Sequence, residues 1–305
     1  MKTRTEPTLP DSRNADIQVW IDGRLYHRDD AKISVFDSLV QGGDGVWEGL
    51  RVYDGRIFAF DEHLDRLIDS AKAMAFEDIP DRGVIRNAVF AALEANGMRD
   101  GCHVRLTLSR GLKITSSMDP RRNQYGSSLI VLPEWKQPIY NPAGVSLITS
   151  SVRRNSPSTL DSKIHHNNLI NNILAKIEAN LAGADDAVML DLYGYVSETN
   201  ATNIFMVKRG RLLTPRADSC LPGITRGFVI QIARQADIPV EERNISMAEV
   251  YAADEMFTTG TMGELSPVLN VDGRVIGSGG IGETTRRLQD LYAERTASMG
   301  EPLPF

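Results

Sequence analysis

Cysteine is scarce. The chain has two in 305 residues, Cys102 and Cys220, too few and too widely separated for a disulfide framework or a zinc site. That scarcity suits a reducing, cytoplasmic setting, and no metal is expected. Long apolar runs are missing as well. None approaches the roughly 20 residues that span a bilayer, so no integral membrane protein is expected. There is no GxGxxG or GxxxxGK[ST] stretch, which leaves a dinucleotide or Walker-type site unsupported. Neither a repeat of solenoid period nor a low-complexity tract occurs. The net charge of −6 argues against a general nucleic-acid binder, but it leaves room for a local basic pocket that takes a small anion. The first sixteen residues, MKTRTEPTLPDSRNAD, lack the apolar core of a signal peptide and are expected to form a flexible polar tail.

What is present is a soluble globular composition, 42% hydrophobic and 24% charged. The first half opens with IQVWIDGRLYH, two alternating strands around Asp22-Gly23, a strong hairpin signal. LRVYDGRIFAF repeats the pattern around Asp54-Gly55. DEHLDRLIDSAKAMAF places Leu64, Leu67, Ile68 and Ala71 at helical spacing, and a second helix is expected over 82–96, ending at Gly97. HVRLTLSRG and SSLIVLP read as strands. This gives an α+β unit over 17–133. PEWKQPIYNPAG, with three prolines and a glycine, reads as the start of an interdomain linker, placed at 134–144. A larger second domain, 145–305, is expected to build a mixed, barrel-like sheet from hairpins and short helices, one of them over 167–182.

Four features of the second half fit one chemistry. Lys163 lies in PSTLDSKIHHNNLINN, where a turn-like segment gives way to an amphipathic helix; by itself it reads equally as a solvated cation. Glu198 closes a strand in VSETNATNIF. In TPRADSCLPGITR, Pro222-Gly223 leads into a helix whose first turn is Ile224, Thr225 and Arg226. Free N–H groups, a hydroxyl and the helix dipole would there make an anion cradle. FTTGTMGELSP puts Thr259, Gly260 and Thr261 at a strand-to-turn junction with further donors. An amine nucleophile, a lone carboxylate and two phosphate-type cradles are what pyridoxal 5′-phosphate requires: a Schiff-base lysine, a partner for the pyridine nitrogen and donors for the phosphate.

Taken in order, Lys163, VSETNATNIF, TPRADSCLPGITR and ADEMFTTGTMGELSPV resemble the signatures of class IV, fold-type IV pyridoxal-phosphate enzymes. GDGVWEGLRVY and HLDRLIDSAK resemble that family's N-terminal signatures, and the match runs from about Ile17 to Leu291. The resemblance implies a two-domain α+β fold with a small N-terminal and a larger C-terminal domain, and a homodimer. It implies Lys163 as the catalytic amine and Glu198 on the pyridine nitrogen. Arg66, Ile224, Thr225 and Thr261 would hold the phosphate, and Asn168 would contact the ring hydroxyl. The activity implied is transfer of an amino group from an amino acid to a 2-oxo acid in ping-pong fashion.

Substrate choice is less sharply marked. HVR matches the branched-chain enzymes' Tyr-x-Arg at Arg105 but not at His103, and Trp47 supplies the aromatic of GDGVWEG. By resemblance, Thr261, Met262 and Gly263 would offer N–H groups to the substrate carboxylate, with Arg51 and Arg105 as pocket arginines. The adjacent His165 and His166 make a poor metal pair and read as helix-start residues near the cleft. The favoured reading is a branched-chain L-amino acid aminotransferase using small-molecule partners. A D-amino acid or (R)-amine transaminase is the alternative, and aminodeoxychorismate lyase a weaker one.

Overall fold

The computed structural model describes residues 8–305. In the first sheet, β1 (Gln18–Ile21) and β2 (Arg24–His27) form the hairpin expected around Asp22-Gly23, both residues having positive φ. It continues with β3 (Gly45–Tyr53), β4 (Arg56–Ile57), β5 (Cys102–Ser109) and β6 (Ser128–Trp135). Helices α1 (Ser38–Gly42), α2 (Phe60–Ala73) and α3 (Arg82–Ala95) complete this half. Leu64, Leu67 and Ala71 of α2 and Ile85, Val89 and Leu93 of α3 bury their stripes against Leu50, Val52, Val104 and Leu106 of the sheet.

The second sheet holds β7 (Val145–Thr149), β8 (Asp186–Leu190), β9 (Val196–Thr199), β10 (Asn203–Lys208), β11 (Arg211–Thr214), β12 (Val240–Glu242), β13 (Glu255–Gly260), β14 (Glu264–Val271) and β15 (Arg274–Val275). Pairing is mixed, parallel at β7–β8, β7–β14 and β11–β12, and the sheet curls until β9 returns beside β10. Four helices accompany it: α4 (Ile170–Leu181), α5 (Ile224–Gln235), α6 (Met247–Tyr251) and α7 (Glu283–Ser298). Phe205 and Val207 of β10 face α5 and α7, while Ile204 and Met206 face the core under α6. Strand β10 is thus buried on both faces, which explains its unbroken apolar run NIFMV.

Several boundaries differ from expectation, each for a physical reason. Of the supposed flexible tail, residues 1–7 lie outside the described residues. Ser12–Asp16, however, form a 3₁₀ turn, and the buried Asn14 side chain bonds the Trp135 backbone at 2.9 and 2.8 Å. Strand β6 runs through Pro133 to Trp135, into the segment expected as linker. It pairs with β1 only at Ile130 and Val131, so by Pro133 that side needs no N–H donor. The helix expected from residue 167 begins at Ile170, because Asn167 N–H is bonded to the Gly45 carbonyl of β3 at 2.8 Å. The chain's end also returns to the first half, where β16 (Glu301–Pro302) pairs β4 and Leu303 and Phe305 pack on its core. That side of the molecule therefore draws on both ends of the chain.

Candidate active site

A cleft runs between the two sheets. Its first-sheet wall comes from alternate residues of β3 and β5: Trp47 and Gly49, with His103 and Arg105 beside them. Arg66 of α2 and His165 of the loop before α4 adjoin that wall. The opposite wall is Glu198, Thr202 and Asn203, the start of α5 at Gly223–Thr225, and Thr259 through Gly263. Residues more than 200 positions apart thus face one space.

Arg66 reaches the cleft because Glu48 holds it. Glu48 is fully buried; its Oε1 accepts from Arg66 Nε at 2.8 Å and from His165 Nδ1 at 3.0 Å, and its Oε2 accepts from Arg66 Nη2 at 2.7 Å and His63 Nδ1 at 2.6 Å. Burial pushes this carboxyl up, but Arg66 and His165 outweigh that and hold it well below the ordinary range, so it is an anion. Opposite, Arg66 Nη1 points at the Pro222 carbonyl, 3.3 Å away, just before α5.

At that point α5 has no side-chain cap, and its first N–H groups, with Ile224 and Thr225, face the cleft. Gly223 is required there: a Cβ would sit 2.0 Å from Asn203 Oδ1. The Thr259 hydroxyl in the same wall is buried without a partner. An uncapped helix start, an arginine and an orphan hydroxyl converge where a phosphate would complete them.

Glu198 is equally well anchored. Arg154 Nε donates to its Oε1 at 2.6 Å, and Asn203 Nδ2 and Leu221 N–H donate to its Oε2 at 3.1 and 3.3 Å. Burial pushes Glu198 up, and the Arg154 charge and these donors pull it back. Lys163 stands beside this pair, not in the cleft lining. It is exposed, its Nζ 3.5 Å from the Asp218 carbonyl and 3.7 Å from Asp161 Oδ1. Both Lys163 and Glu198 lie close enough to act on the buried Cys220 thiol, which burial pushes up to about 12.

The other expected residues divide. Trp47, Arg105, Thr261, Met262 and Gly263 line the cleft. The Arg105 guanidinium lies 3.9 Å from the Trp47 ring centre, and burial lowers its pKa with no carboxylate to offset it. Gly263 admits Tyr140, since a Cβ there would come within 2.5 Å of that ring. Two residues are not brought to the cleft. Asn168 is exposed with its backbone against Gly43, because Asn167 is pinned to β3. Arg51 follows Gly49 on the same strand face but is sealed beyond the lining, with Nε and Nη1 unpartnered. Sequence reading passes over Glu48, Arg154 and Lys136; the signal for Glu48 is an acid inside the otherwise apolar GVWEGL. His165, expected near the cleft, does line it.

The two cleft histidines, His103 and His165, carry a pH consequence. Burial, with the Lys136 and Arg105 charges, pushes His103 down to about 3, and burial pushes His165 to about 4 against the pull of Glu48. Both rings are neutral when folded and bind a proton when unfolded at acidic pH. Between the folded values and the ordinary 6.5 the unfolded chain holds more protons, so stability rises with pH across that window and is lost as pH falls through it. Unfolding free energies from urea titrations at pH 7 and pH 5 should differ by about 1–2 kcal/mol per ring in the cofactor-free chain. His103→Gln should remove its share of the difference; an unchanged pH slope would contradict neutral burial of this ring.

Known proteins resemble this chain in sequence and fold. The amino-transferase class IV family model matches residues 45–271. The branched-chain-amino-acid aminotransferase-like protein 2 of Arabidopsis thaliana is 58% identical over 303 residues, covering 99% of this chain and 54% of the relative. The chain therefore spans about half the length of that relative. A putative branched-chain-amino-acid aminotransferase of Methanocaldococcus jannaschii is 39% identical over 93% of this chain and 98% of its own. The solved branched-chain aminotransferase of Thermoproteus uzoniensis with norvaline superposes with a TM-score of 0.87 at 33% identity, covering 92% of this chain and 95% of that one. Class IV aminotransferases depend on pyridoxal 5′-phosphate, and the cradle, carboxylate and neighbouring lysine described above suit it. By sequence, fold and the furnishing of its cleft, this chain belongs to the class IV aminotransferase family.

Proposed function

We propose that the protein moves an amino group from a branched-chain L-amino acid to a 2-oxo acid in two half-reactions. The observation that carries this is the cleft itself, where Glu198, Arg66 and the uncapped start of α5 face one another beside Lys163. Bound pyridoxal phosphate would supply a carbonyl for the amine and an electron-poor ring for the electrons left when the Cα proton departs. Arg66, the Ile224 and Thr225 N–H groups and the Thr259 and Thr261 hydroxyls bind its phosphate. Glu198, held by Arg154 and Asn203, keeps the ring nitrogen's proton. Lys163 Nζ would be the holding amine, and once released it would take the proton from the substrate Cα and return it to the cofactor carbon on the far side of the amine nitrogen.

The substrate end has two characters. Trp47, Ile139, Tyr140 and Met262 give apolar contact suited to a branched side chain, and the N–H groups of the Thr261-Met262-Gly263 turn suit the α-carboxylate. Arg105 and Lys136 line the same space and suit the distal carboxylate of a dicarboxylic acceptor. The names of the relatives favour branched-chain donors. Two free, buried cysteines fit a cytoplasmic location, and no helix among the described residues is long and apolar enough to cross a membrane.

A test follows from the spectrum of the cofactor-loaded protein. L-leucine should bleach the visible cofactor band, whereas D-alanine and (R)-1-phenylethylamine should not; the reverse pattern would move the assignment to the D-amino acid or (R)-amine enzymes. Arg105→Gln should raise KM for 2-oxoglutarate by about 10-fold or more through loss of a charged hydrogen bond, and change that for 4-methyl-2-oxopentanoate far less.

A homodimer is part of this reading. On α4, Ile170, Ile173, Leu174, Ile177 and Leu181 form an exposed apolar stripe at helical spacing. A second copy of the chain would cover it. Sedimentation of the wild type should give a dimer and the Leu174→Glu/Ile177→Glu double variant a monomer. A wild-type monomer at micromolar concentration would sink the idea.

A further inference from the structure

His165 is held more firmly than a loop residue needs. Its N–H bonds Ser70 Oγ at 3.0 Å, and its carbonyl accepts from Trp47 N–H at 2.9 Å. Its ring lies on Trp47 with centroids 4.3 Å apart, and its Nδ1 is fixed on Glu48 Oε1 at 3.0 Å. Because Glu48 is an anion, Nδ1 carries the hydrogen and Nε2 is left with the lone pair. Nε2 has no partner among the described residues, and it is not sealed in as both nitrogens of His166 are. It opens on the cleft, where His165 and Arg66 adjoin one wall and Thr225 belongs to the other.

The charge balance at this end is incomplete for a dianion. Glu48 accepts four donors, and its charge cancels that of Arg66. The groups facing His165 are Glu48 and Trp47 of β3 and His63, Arg66 and Ser70 of α2. A phosphate monoester at neutral pH is close to dianionic. Bringing it into this end would favour one more positive charge, and the group placed to become one is the imidazole with its free Nε2.

We propose that His165 is a further anion-contacting residue of this cleft: when a phosphate dianion settles between Arg66 and the start of α5, His165 Nε2 binds a proton from solvent and the imidazolium, braced by Glu48, makes a second cationic contact. The step is a proton uptake alone; no bond to carbon forms and nothing is oxidised. In the empty cleft the ring is neutral, burial pushing it to about 4, so the proton arrives with the anion. This inference rests on reading the Arg66–α5 end as the phosphate site.

The test is calorimetry on the full chain freed of cofactor, titrated at pH 7 with pyridoxine 5′-phosphate, which has no aldehyde to condense with Lys163. Binding heats in two buffers of different ionisation enthalpy give the protons taken up. The wild type should take up about half to one proton more than His165→Gln, and the variant should bind roughly 10-fold more weakly, as for loss of one charged contact. The wild-type dissociation constant should also rise from pH 6.5 to 8.5, more steeply than the variant's. Equal uptake in both proteins would overturn the proposal while leaving the phosphate site intact. Failure of the wild type to bind the probe would overturn both. Should His165→Gln not fold, ¹⁵N spectra of the wild-type imidazoles with and without the probe decide: His165 nitrogens moving to the imidazolium range support the proposal, and a ring that stays neutral refutes it.

Discussion

Glu48 is the constraint on which the rest of the site depends. A fully buried carboxylate is costly unless every lone pair is used. Here β3 supplies the acid, α2 supplies Arg66 and His63, and the loop after Lys163 supplies His165. One anion therefore sets the position of the helix that carries Arg66 and of the loop that follows Lys163. The same loop is stitched to β3 by backbone bonds from Trp47 N–H to His165 and from Asn167 N–H to Gly45. Removing the Glu48 charge would free four donors on three residues at once, so its substitution affects geometry and binding together.

The second sheet repeats this device with opposite emphasis. Glu198 is buried too, but it meets one arginine, one amide and one backbone N–H instead of an arginine and two histidines. Burial raises its carboxyl where that of Glu48 is driven down. The contrast suits different tasks: Glu48 is a structural counter-charge, whereas Glu198 faces the cleft with capacity for one more partner. Gly223 and Gly263 extend the same close fit to the backbone, since each admits a neighbour's side chain where a Cβ would collide.

Much of the fold is legible in the sequence because its elements are locally consistent. Asp22-Gly23 and Asp54-Gly55 turn as read, and the stripes of α2, α3 and α5 face the cores their spacing predicts. Within the site, Arg66, Glu198, Ile224, Thr225 and Thr261 stand out by pattern, and all line one cleft. What the sequence hides is pairing across distance. Arg154 lies 44 residues from Glu198, and Glu48 lies 117 from His165, so no window shows either contact. The start of α4 differs for a similar reason: the periodicity of residues 167–182 is real, but a bond to β3 overrides its first turn. Asn168 matches only by its position in a motif, and its side chain is turned away by that same bond.

The central claim is that Lys163 is the amine which holds the cofactor, although in this structure its side chain stands beside the cleft while another lysine, Lys136, lines it. The direct measurement is borohydride reduction of the cofactor-loaded protein followed by peptide mass mapping. The account predicts a stable phosphopyridoxyl label on the peptide containing Lys163 and on no other. A label on Lys136, or none on any lysine, would contradict it.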